Sequence, residues 1–257
     1  MNEESTASSG HPDIVVEAWG LSYAYRTEAV LHSVNLSITS GVVLGIVGPN
    51  GAGKSTLIKT MLGLIKPLTG ETRFFGQPLD RVRKRVGYMP QSSSVDWDFP
   101  TTVFDVVLMG TYGRIGWLGR PGKHHRVEAM QALEEVGIAE LAKRQIGELS
   151  GGQRQRTFLA RALVQAPDVY FMDEPFQGVD ALSEQAIVRV LQLLKAQGKT
   201  IVLVHHDLNT VAEYCDQVTL LNRTVIASGP VATTFTRENI RTAYDARNSD
   251  SFLEFLG

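Results

Sequence analysis

The sequence predicts an α/β fold in which helices cover a mainly parallel β-sheet. Three observations support this. A glycine-rich loop near residue 50 joins a short apolar run to a helical pattern, and apolar runs alternate with helical patterns between residues 158 and 204. Between residues 14 and 38, apolar and polar residues alternate instead, which predicts antiparallel strands with one wet face. The fold class is therefore an α/β core with an antiparallel β subdomain.

Further strands and a helix are predicted along the first ninety residues. The apolar run 42–47 is long enough for a buried strand. After the glycine-rich loop, Leu57, Ile58 and Met61 recur at helical spacing. Two short strands are predicted at Glu71–Gly76 and Arg85–Met89.

The middle of the chain, from about 91 to 160, is predicted to be a mostly helical insertion in the core. Val103–Met109 is apolar, and Gly110–Gly122 is rich in glycine. Val127–Val136 reads as an amphipathic helix that ends at Gly137. After the insertion, helices alternate with strands at Val169–Met172 and Thr200–Val204, which again indicates a parallel sheet.

Bulk composition limits the possible functions. The chain has 257 residues, of which 43% are hydrophobic and 20% charged, which is ordinary for a soluble protein. A net charge of −2 gives no electrostatic reason to expect nucleic acid as a partner. No apolar run approaches the roughly 18 residues needed to cross a bilayer. Cys215 is the only cysteine, so no intrachain disulfide is expected, which fits a reducing cytosol.

Both ends of the chain are predicted to be tails. Residues 1–12 combine acidic and small polar residues without an apolar region, so they are expected to form a disordered tail rather than a secretory signal. Residues 13–247 are expected to form one domain. Residues 248–257 are expected to form a C-terminal tail.

The most specific motif is a phosphate-binding loop, GPNGAGKST, between the apolar run and the helix. Strand, glycine loop and helix in this order aim backbone N–H groups and a helix N-terminus at one point, which attracts polyphosphate. Lys54 is expected to reach the terminal phosphates and Ser55 to ligate Mg²⁺. The predicted phosphate contacts are Gly48, Pro49, Asn50, Gly51, Ala52, Gly53, Lys54, Ser55 and Thr56.

A second motif places two acids at the end of the strand Val169–Met172. Ligands bind at the carboxyl edge of open α/β sheets, so Asp173 and Glu174 are expected to lie at the nucleotide. Asp173 is predicted to hold Mg²⁺ through its water shell. Glu174 is predicted to act as the general base for the attacking water.

A third motif predicts a dimer. The residues Leu149, Ser150, Gly151, Gly152 and Gln153 precede a helix, and Ser150 suits its N-cap. Two glycines bare the backbone at this helix N-terminus, which makes a second anion-binding site. One chain does not need two nucleotide phosphate sites. A dimer does, because a nucleotide held on Lys54 of one subunit can be clamped by Ser150 and Gly152 of the other.

With these three motifs, the chain from about Ile14 to Ala243 resembles the ATP-binding-cassette family. The resemblance implies a P-loop NTPase (RecA-like) core with an antiparallel β subdomain and a helical ABC subdomain. It also implies ATP and Mg²⁺ as cofactors and a homodimer of ATPase subunits.

The resemblance assigns further roles by position. Tyr25 matches the ring that stacks on adenine, with Tyr23 as the competing candidate. Gln91 matches the residue that joins the core to the helical subdomain and senses Mg²⁺ and the γ-phosphate. Asp180 matches the loop that runs between the two nucleotide sites, although this chain has Gln-Gly-Val-Asp where many members have Ser-Ala-Leu-Asp. The switch histidine that contacts the γ-phosphate matches His206, preferred over the adjacent His205.

Several stretches resemble the ATPase subunits of manganese, zinc and chelated-iron importers, among them 95–100, 105–113, 173–180 and 204–208. Manganese is the first expectation, then zinc, then iron. The resemblance implies separate transmembrane permease subunits, an extracytoplasmic metal-binding protein, and a position at the cytoplasmic face of the inner membrane. The alternative is a cassette ATPase that acts on nucleic acid or ribosomes, which usually has two cassettes or a coiled-coil insertion.

The permease is expected to insert a cytoplasmic helix into the groove between the core and the helical insertion. The segment Val95–Trp117 is predicted to form the wall of that groove. Its aromatic residues are candidate anchors, with packing in the core as the alternative for each: Trp97, Phe99, Tyr112 and Trp117.

Overall fold

Two β-sheets form the frame of the protein in the computed structural model, which describes residues 13–26, 28–92, 97–116, 119–205 and 207–244. The two predicted tails, 1–12 and 248–257, lie outside the described residues. The strands in the described ranges are β1 (Ile14–Tyr25), β2 (Glu28–Thr39), β3 (Val43–Val47), β4 (Thr69–Phe74), β5 (Val86–Met89), β6 (Val169–Asp173), β7 (Thr200–Val204), β8 (Gln217–Asn222) and β9 (Thr224–Pro230). The helices there are α1 (Lys54–Met61), α2 (Leu79–Val82), α3 (Val103–Met109), α4 (Tyr112–Ile115), α5 (Lys123–Glu135), α6 (Gly151–Gln165), α7 (Ala181–Ala196), α8 (Leu208–Tyr214), α9 (Val231–Thr234) and α10 (Arg237–Tyr244).

The central sheet has the strand order β5-β6-β7-β3-β8-β9 in the described part of the chain. Strands β5, β6, β7, β3 and β8 lie side by side in this order and pair in parallel. Strand β9 runs antiparallel to β8 at the edge of the sheet. Every residue of β3, β6 and β7 is buried, as expected for parallel strands covered on both faces. The predicted parallel sheet is confirmed.

Successive side chains of β3 enter two different apolar cores. Val43 and Val47 pack with the cluster formed by the helical layer, whereas Leu44 and Ile46 pack with the cluster under the second sheet. This division follows from the alternation of side chains across a strand. The glycine loop that follows Val47 therefore starts from a strand fixed on both faces.

The second sheet is antiparallel, with the order β2-β1-β4. Along β2 the buried Val34, Leu36 and Ile38 alternate with exposed Asn35 and Ser37, which confirms the predicted wet face. The buried face packs on β3 and on α1. This sheet supports the helix at which the phosphate loop ends.

The middle of the chain is helical, as predicted. Helices α3, α5 and α6 pack around a buried cluster that includes Val107, Leu133 and Leu159. Helix α5 begins at Lys123, four residues before the predicted start, and Gly137 follows it at φ +68, a left-handed value that suits glycine after a helix. Helix α6 returns the chain to the sheet at β6.

The region after Val204 contains elements that the sequence patterns did not predict, namely the hairpin β8–β9 and the helices α8, α9 and α10. The hairpin completes one edge of the central sheet. In the described ranges, no helix is both long enough and apolar enough to cross a bilayer.

Candidate nucleotide-binding and catalytic site

The phosphate-binding loop connects β3 to α1, as predicted. Gly51 and Gly53 have φ values of +80 and +93, a region that residues with a Cβ rarely adopt. A Cβ on Gly48 would overlap the carbonyl oxygen of Leu221 in β8. The loop is also held by Arg223, whose backbone N–H donates to the Ala52 carbonyl over 2.9 Å. The unpredicted β8–β9 hairpin therefore supports the loop from behind.

Lys54 begins α1 and lies back over the loop. Its Nζ donates to the Gly48 carbonyl over 2.7 Å and to the Pro49 carbonyl over 3.0 Å. The side chain is buried, and this desolvation lowers the pKa of Lys54, although the nearby carboxylates of Glu174 and Asp173 act in the opposite direction. The structure thus holds the Lys54 ammonium group against the phosphate-binding loop, which is rich in backbone N–H groups.

Ser55 and Asp173 meet at the carboxyl edge of the sheet, 118 residues apart in sequence. Ser55 Oγ donates to Asp173 Oδ1 over 2.8 Å. Asp173 is fully buried, and its second oxygen, Oδ2, has no hydrogen-bond partner. Burial raises the pKa of Asp173, with a smaller opposing effect of the Ser55 hydrogen bond. A hydroxyl and a buried carboxylate with an unsatisfied oxygen fit a hard cation such as Mg²⁺, which prefers oxygen ligands.

The described residues contain no cluster of three or more His, Cys, Asp or Glu side chains arranged for a metal. Mg²⁺ in phosphate-transfer sites takes one or two protein ligands and fills its shell with water and phosphate oxygens. A Mg²⁺ ion held by Ser55 and Asp173 would therefore take its remaining ligands from water and from the phosphates of the nucleotide.

Glu174 follows directly and has an unusual backbone. Its φ is +53, in the left-handed region where a non-glycine residue is strained, and such residues cluster at functional sites. Its Oε2 accepts a hydrogen bond of 2.8 Å from Gln91 Nε2. The structure thus brings together the predicted base and the predicted sensor, which lie 83 residues apart in the chain.

Two glutamines that sequence reasoning missed also hold this region. Gln155, in the first half of α6 and buried, donates from Nε2 to the Glu174 carbonyl over 3.2 Å. Gln177 Oε1 accepts from Gln91 Nε2 over 3.0 Å. No residue pattern indicated Gln155, because its burial on α6 follows only from the tertiary structure. No local pattern pointed to the contact of Gln177.

The third motif, residues 149–153 (the signature), contains a capping box at the start of α6. Ser150 Oγ accepts from the Gln153 backbone N–H over 3.3 Å, and Gln153 Oε1 accepts from the Ser150 N–H over 3.0 Å. The predicted N-cap is confirmed. Leu149 is buried beneath it.

The two signature glycines pack closely on the loop that leads to α7. A Cβ on Gly151 would lie 2.8 Å from the Gly178 carbonyl, and one on Gly152 would lie 2.9 Å from Ser183 Cβ. Asp180 caps α7, since its Oδ1 accepts from the Ser183 N–H over 2.8 Å. This bond is the main cause of the lowered pKa of Asp180. In the described ranges no hydrogen bond joins the signature to the phosphate loop of the same chain.

Two predicted site residues remain, Tyr25 for adenine stacking and His206 as the switch histidine. Tyr25 is 51% exposed at the end of β1, and its ring centroid is 4.8 Å from that of Tyr23. The two rings thus form one edge-to-face pair. His206 lies outside the described residues. The adjacent His205 is buried and bonded to Thr210.

A groove of about 390 Å³ separates the core from the helical insertion. The predicted wall segment contributes Met109, Gly110, Gly113 and Arg114 to its lining, but none of the three candidate aromatic anchors that the structure describes. Trp97 packs instead on Phe158 in the helical insertion, with ring centroids 5.1 Å apart. The alternative of packing in the core therefore applies to Trp97. Phe99 and Tyr112 are exposed outside the groove lining, and Trp117 lies outside the described residues.

Comparison with known proteins gives a consistent result. The model of the ABC transporter family matches residues 31–177. The chain is 58% identical to the zinc transport system ATP-binding protein TroB of Treponema pallidum, covering 92% of this chain and 89% of that protein. It is 53% identical to the manganese transport system ATP-binding protein MntB of Bacillus subtilis, covering 90% and 93%.

Solved structures agree with the sequence comparison. A nucleotide-free ATP-binding cassette from an ABC transporter matches with a TM-score of 0.74 at 26% identity, covering 90% of this chain and 94% of that one. The shared fold, the family match over more than half of the chain and the geometry of the phosphate loop lead to the same conclusion: this chain belongs to the ABC transporter family.

Proposed function

We propose that the chain is the Mg²⁺-dependent ATPase subunit of a bacterial importer for a transition-metal ion, most specifically manganese. The observation that carries the proposal is the convergence of Lys54, the Ser55–Asp173 pair and the Glu174–Gln91 pair at one edge of the sheet. Together these groups supply a cation for phosphate, oxygen ligands for a metal and a carboxylate base.

The chemistry follows from these positions. Lys54 and the loop N–H groups bind the phosphates of ATP. Glu174 accepts a proton from a water molecule whose oxygen attacks the γ-phosphorus, the bond to the bridging oxygen breaks, and ADP leaves with that oxygen. Mg²⁺, when bound at Ser55 and Asp173, supplies positive charge that offsets the charge developing on the phosphate oxygens. Gln91 and His206 act as sensors of the γ-phosphate.

The signature supports a homodimer. Ser150 and Gly151 are exposed at the N-terminus of α6. In the described ranges this terminus has no hydrogen bond to the phosphate loop of its own chain, and a helix N-terminus attracts anions. In the proposed dimer, Ser150 and Gly152 of one subunit contact the nucleotide on Lys54 of the other. Asp180 lies beside that contact, at the start of α7.

The groove is the proposed docking site for a permease helix. Arg83, Lys84 and Arg161 line it, whereas no carboxylate is among its described lining residues. Two buried polar atoms there, Arg161 Nε and Tyr88 Oη, have no hydrogen-bond partner. We expect the docked helix to present an acidic side chain, because buried polar groups are costly to leave unpaired.

The choice of metal is supported by the relatives alone. Manganese is named for relatives at 51–53% identity, and zinc for one at 58%. Zinc is therefore the second candidate. We expect selection of the ion to lie in the permease and in an extracytoplasmic metal-binding protein, since the described residues contain no metal cluster that could select it. In this arrangement we expect the subunit to lie at the cytoplasmic face of the inner membrane.

Cellular uptake of Mn²⁺, Zn²⁺ and iron tests the proposal. The native host carrying the intact gene is compared with the same host carrying Glu174→Gln. Selective loss of Mn²⁺ uptake is the expected result, and selective loss of Zn²⁺ uptake would transfer the proposal to zinc. Unchanged uptake of all three, with the protein expressed and no backup transporter active, would contradict the importer proposal.

A further inference from the structure

Gln177 contacts the catalytic residues, although no motif assigned it a role. Gln177 Oε1 accepts a hydrogen bond of 3.0 Å from Gln91 Nε2. We propose that Gln177 is a positioning residue that fixes the orientation of the Gln91 amide for Mg²⁺ binding. The inference rests on the proposed ATPase function.

The hydrogen bonds determine which way the Gln91 amide faces. A primary amide has two N–H donors on its nitrogen and an acceptor on its carbonyl oxygen. Gln91 Nε2 donates one bond to Glu174 Oε2 over 2.8 Å and another to Gln177 Oε1 over 3.0 Å. Since an ionised carboxylate only accepts, the nitrogen must face Glu174, and the carbonyl oxygen faces away from it. Mg²⁺ binds oxygen, so this is the orientation that a metal ligand requires.

The backbone holds Gln177 in place for this contact. A turn closes from the Gln177 N–H to the Glu174 carbonyl over 3.1 Å, and Glu174 enters it with φ +53. Pro175 and Phe176 within the turn are buried. Gln177 is half-buried, so its amide competes less with water than an exposed one would. The backbone turn and the partial burial of Gln177 therefore hold its Oε1 in place to accept the hydrogen bond from Gln91.

The pair also connects two functional segments. Gln91 follows β5, whose Tyr88 lines the groove, and Gln177 lies three residues before Asp180 at the proposed subunit interface. An amide flip at Gln91 would break both hydrogen bonds and turn its oxygen toward Glu174, where two acceptors repel. Loss of the Gln177 acceptor would remove one of the hydrogen bonds that oppose that flip.

The test compares the equilibrium affinity of the purified full-length chain for a non-hydrolysable ATP analogue in Mg²⁺ and in EDTA. Gln177→Met keeps the length of the side chain and removes the acceptor. We expect it to weaken binding in Mg²⁺ by about 3- to 10-fold, the effect of one neutral hydrogen bond, and to leave binding in EDTA unchanged. Gln192→Met, on the exposed side of α7, is the matched control and should change neither value.

A double-mutant cycle shows whether Gln177 acts through Gln91. In a Gln91→Ala background, Gln177→Met should have no further effect, because the amide that it positions is gone. Additive losses, or an equal loss in EDTA, would overturn the inference while leaving the ATPase proposal intact. A wild-type chain whose affinity ignores Mg²⁺ would instead contradict the proposed function and this inference together.

Discussion

Glu174 has a strained backbone, and its carboxylate accepts a hydrogen bond from Gln91. We therefore expect ATP hydrolysis to depend far more on the charge of this side chain than on its shape. We predict that Glu174→Gln binds ATP, forms a stable ATP-dependent dimer and loses hydrolysis by about 10²- to 10⁴-fold, the usual contribution of a general base. Phosphate release and size-exclusion chromatography measure the two effects. Glu134→Gln, exposed on α5, is the control. Near-normal turnover in Glu174→Gln would remove it from the base role.

Lys54 is the cation that the loop confines, so it should determine nucleotide affinity itself. Lys54→Ala removes a buried charge-assisted contact to phosphate, and such contacts contribute about 1.5–3 kcal/mol. We expect ATP affinity to fall by at least about tenfold in an equilibrium binding assay. Lys66→Ala, on an exposed residue after α1, should bind normally. Unchanged affinity in Lys54→Ala would contradict the phosphate-loop assignment.

Asp173 should destabilise the fold when no cation is bound. Burial raises its pKa, so the ionised form is disfavoured in the folded chain relative to the unfolded one. This cost is absent below the ordinary pKa of about 4 and grows as the pH rises above it.

Asp173→Asn removes that charge and should therefore raise the melting temperature at neutral pH in EDTA, by about 2–4 °C for each kcal/mol recovered. The gain should shrink as the pH is lowered. Mg²⁺-dependent ATP binding should be lost. Thermal melts at several pH values, with Asp13→Asn as an exposed control, measure the effect. A lower melting temperature for Asp173→Asn at neutral pH would show that the carboxylate stabilises the fold.

At the scale of elements, helix α6 depends on its cap. Ser150 and Gln153 satisfy each other's backbone donors, and loss of an N-cap costs about 1 kcal/mol. Ser150→Ala should lower the melting temperature by about 2–4 °C in a thermal melt. Ser150→Thr keeps the hydroxyl and should recover most of that loss. If both variants melt like the wild type, the capping box contributes nothing measurable to stability.

At the scale of the whole molecule, the charge of the groove should matter to the transporter. Arg161 packs beside Phe158 and faces a cationic groove, and its burial lowers its pKa. Arg161→Glu should abolish metal uptake in the native host, since it would face an acidic permease side chain with a like charge. Second-site mutations that restore uptake should change a permease Asp or Glu to a neutral or basic residue.

Two variants control for a change in the fold or in total charge. Arg161→Met keeps the apolar packing and should reduce uptake less than Arg161→Glu. Arg237→Glu, exposed on α10, should transport normally. Restoring mutations confined to lipid synthesis would assign the groove to anionic headgroups instead of the permease.

The sequence by itself determined the features whose causes are local. The loop from Gly48 to Thr56, the buried strands and the cap at Ser150 each depend on neighbours within a few residues, so residue type and spacing suffice to predict them. The order strand–loop–helix then predicted Lys54 as a phosphate contact without any knowledge of the rest of the chain. The acids at the end of the strand Val169–Met172 likewise predicted Glu174, and the family resemblance added Gln91 by position.

Only the tertiary structure decided the contacts between distant segments. The bonds Ser55–Asp173 and Gln91–Gln177 join residues 118 and 86 positions apart, and the support of Gly48 by Leu221 depends on an edge hairpin that no local pattern predicted. Trp97 illustrates the same limit, since an aromatic residue is equally suited to an interface or a core until its neighbours are known. The physical reason is that packing and hydrogen-bond partners are set by the fold, whereas propensity and spacing act only along the chain.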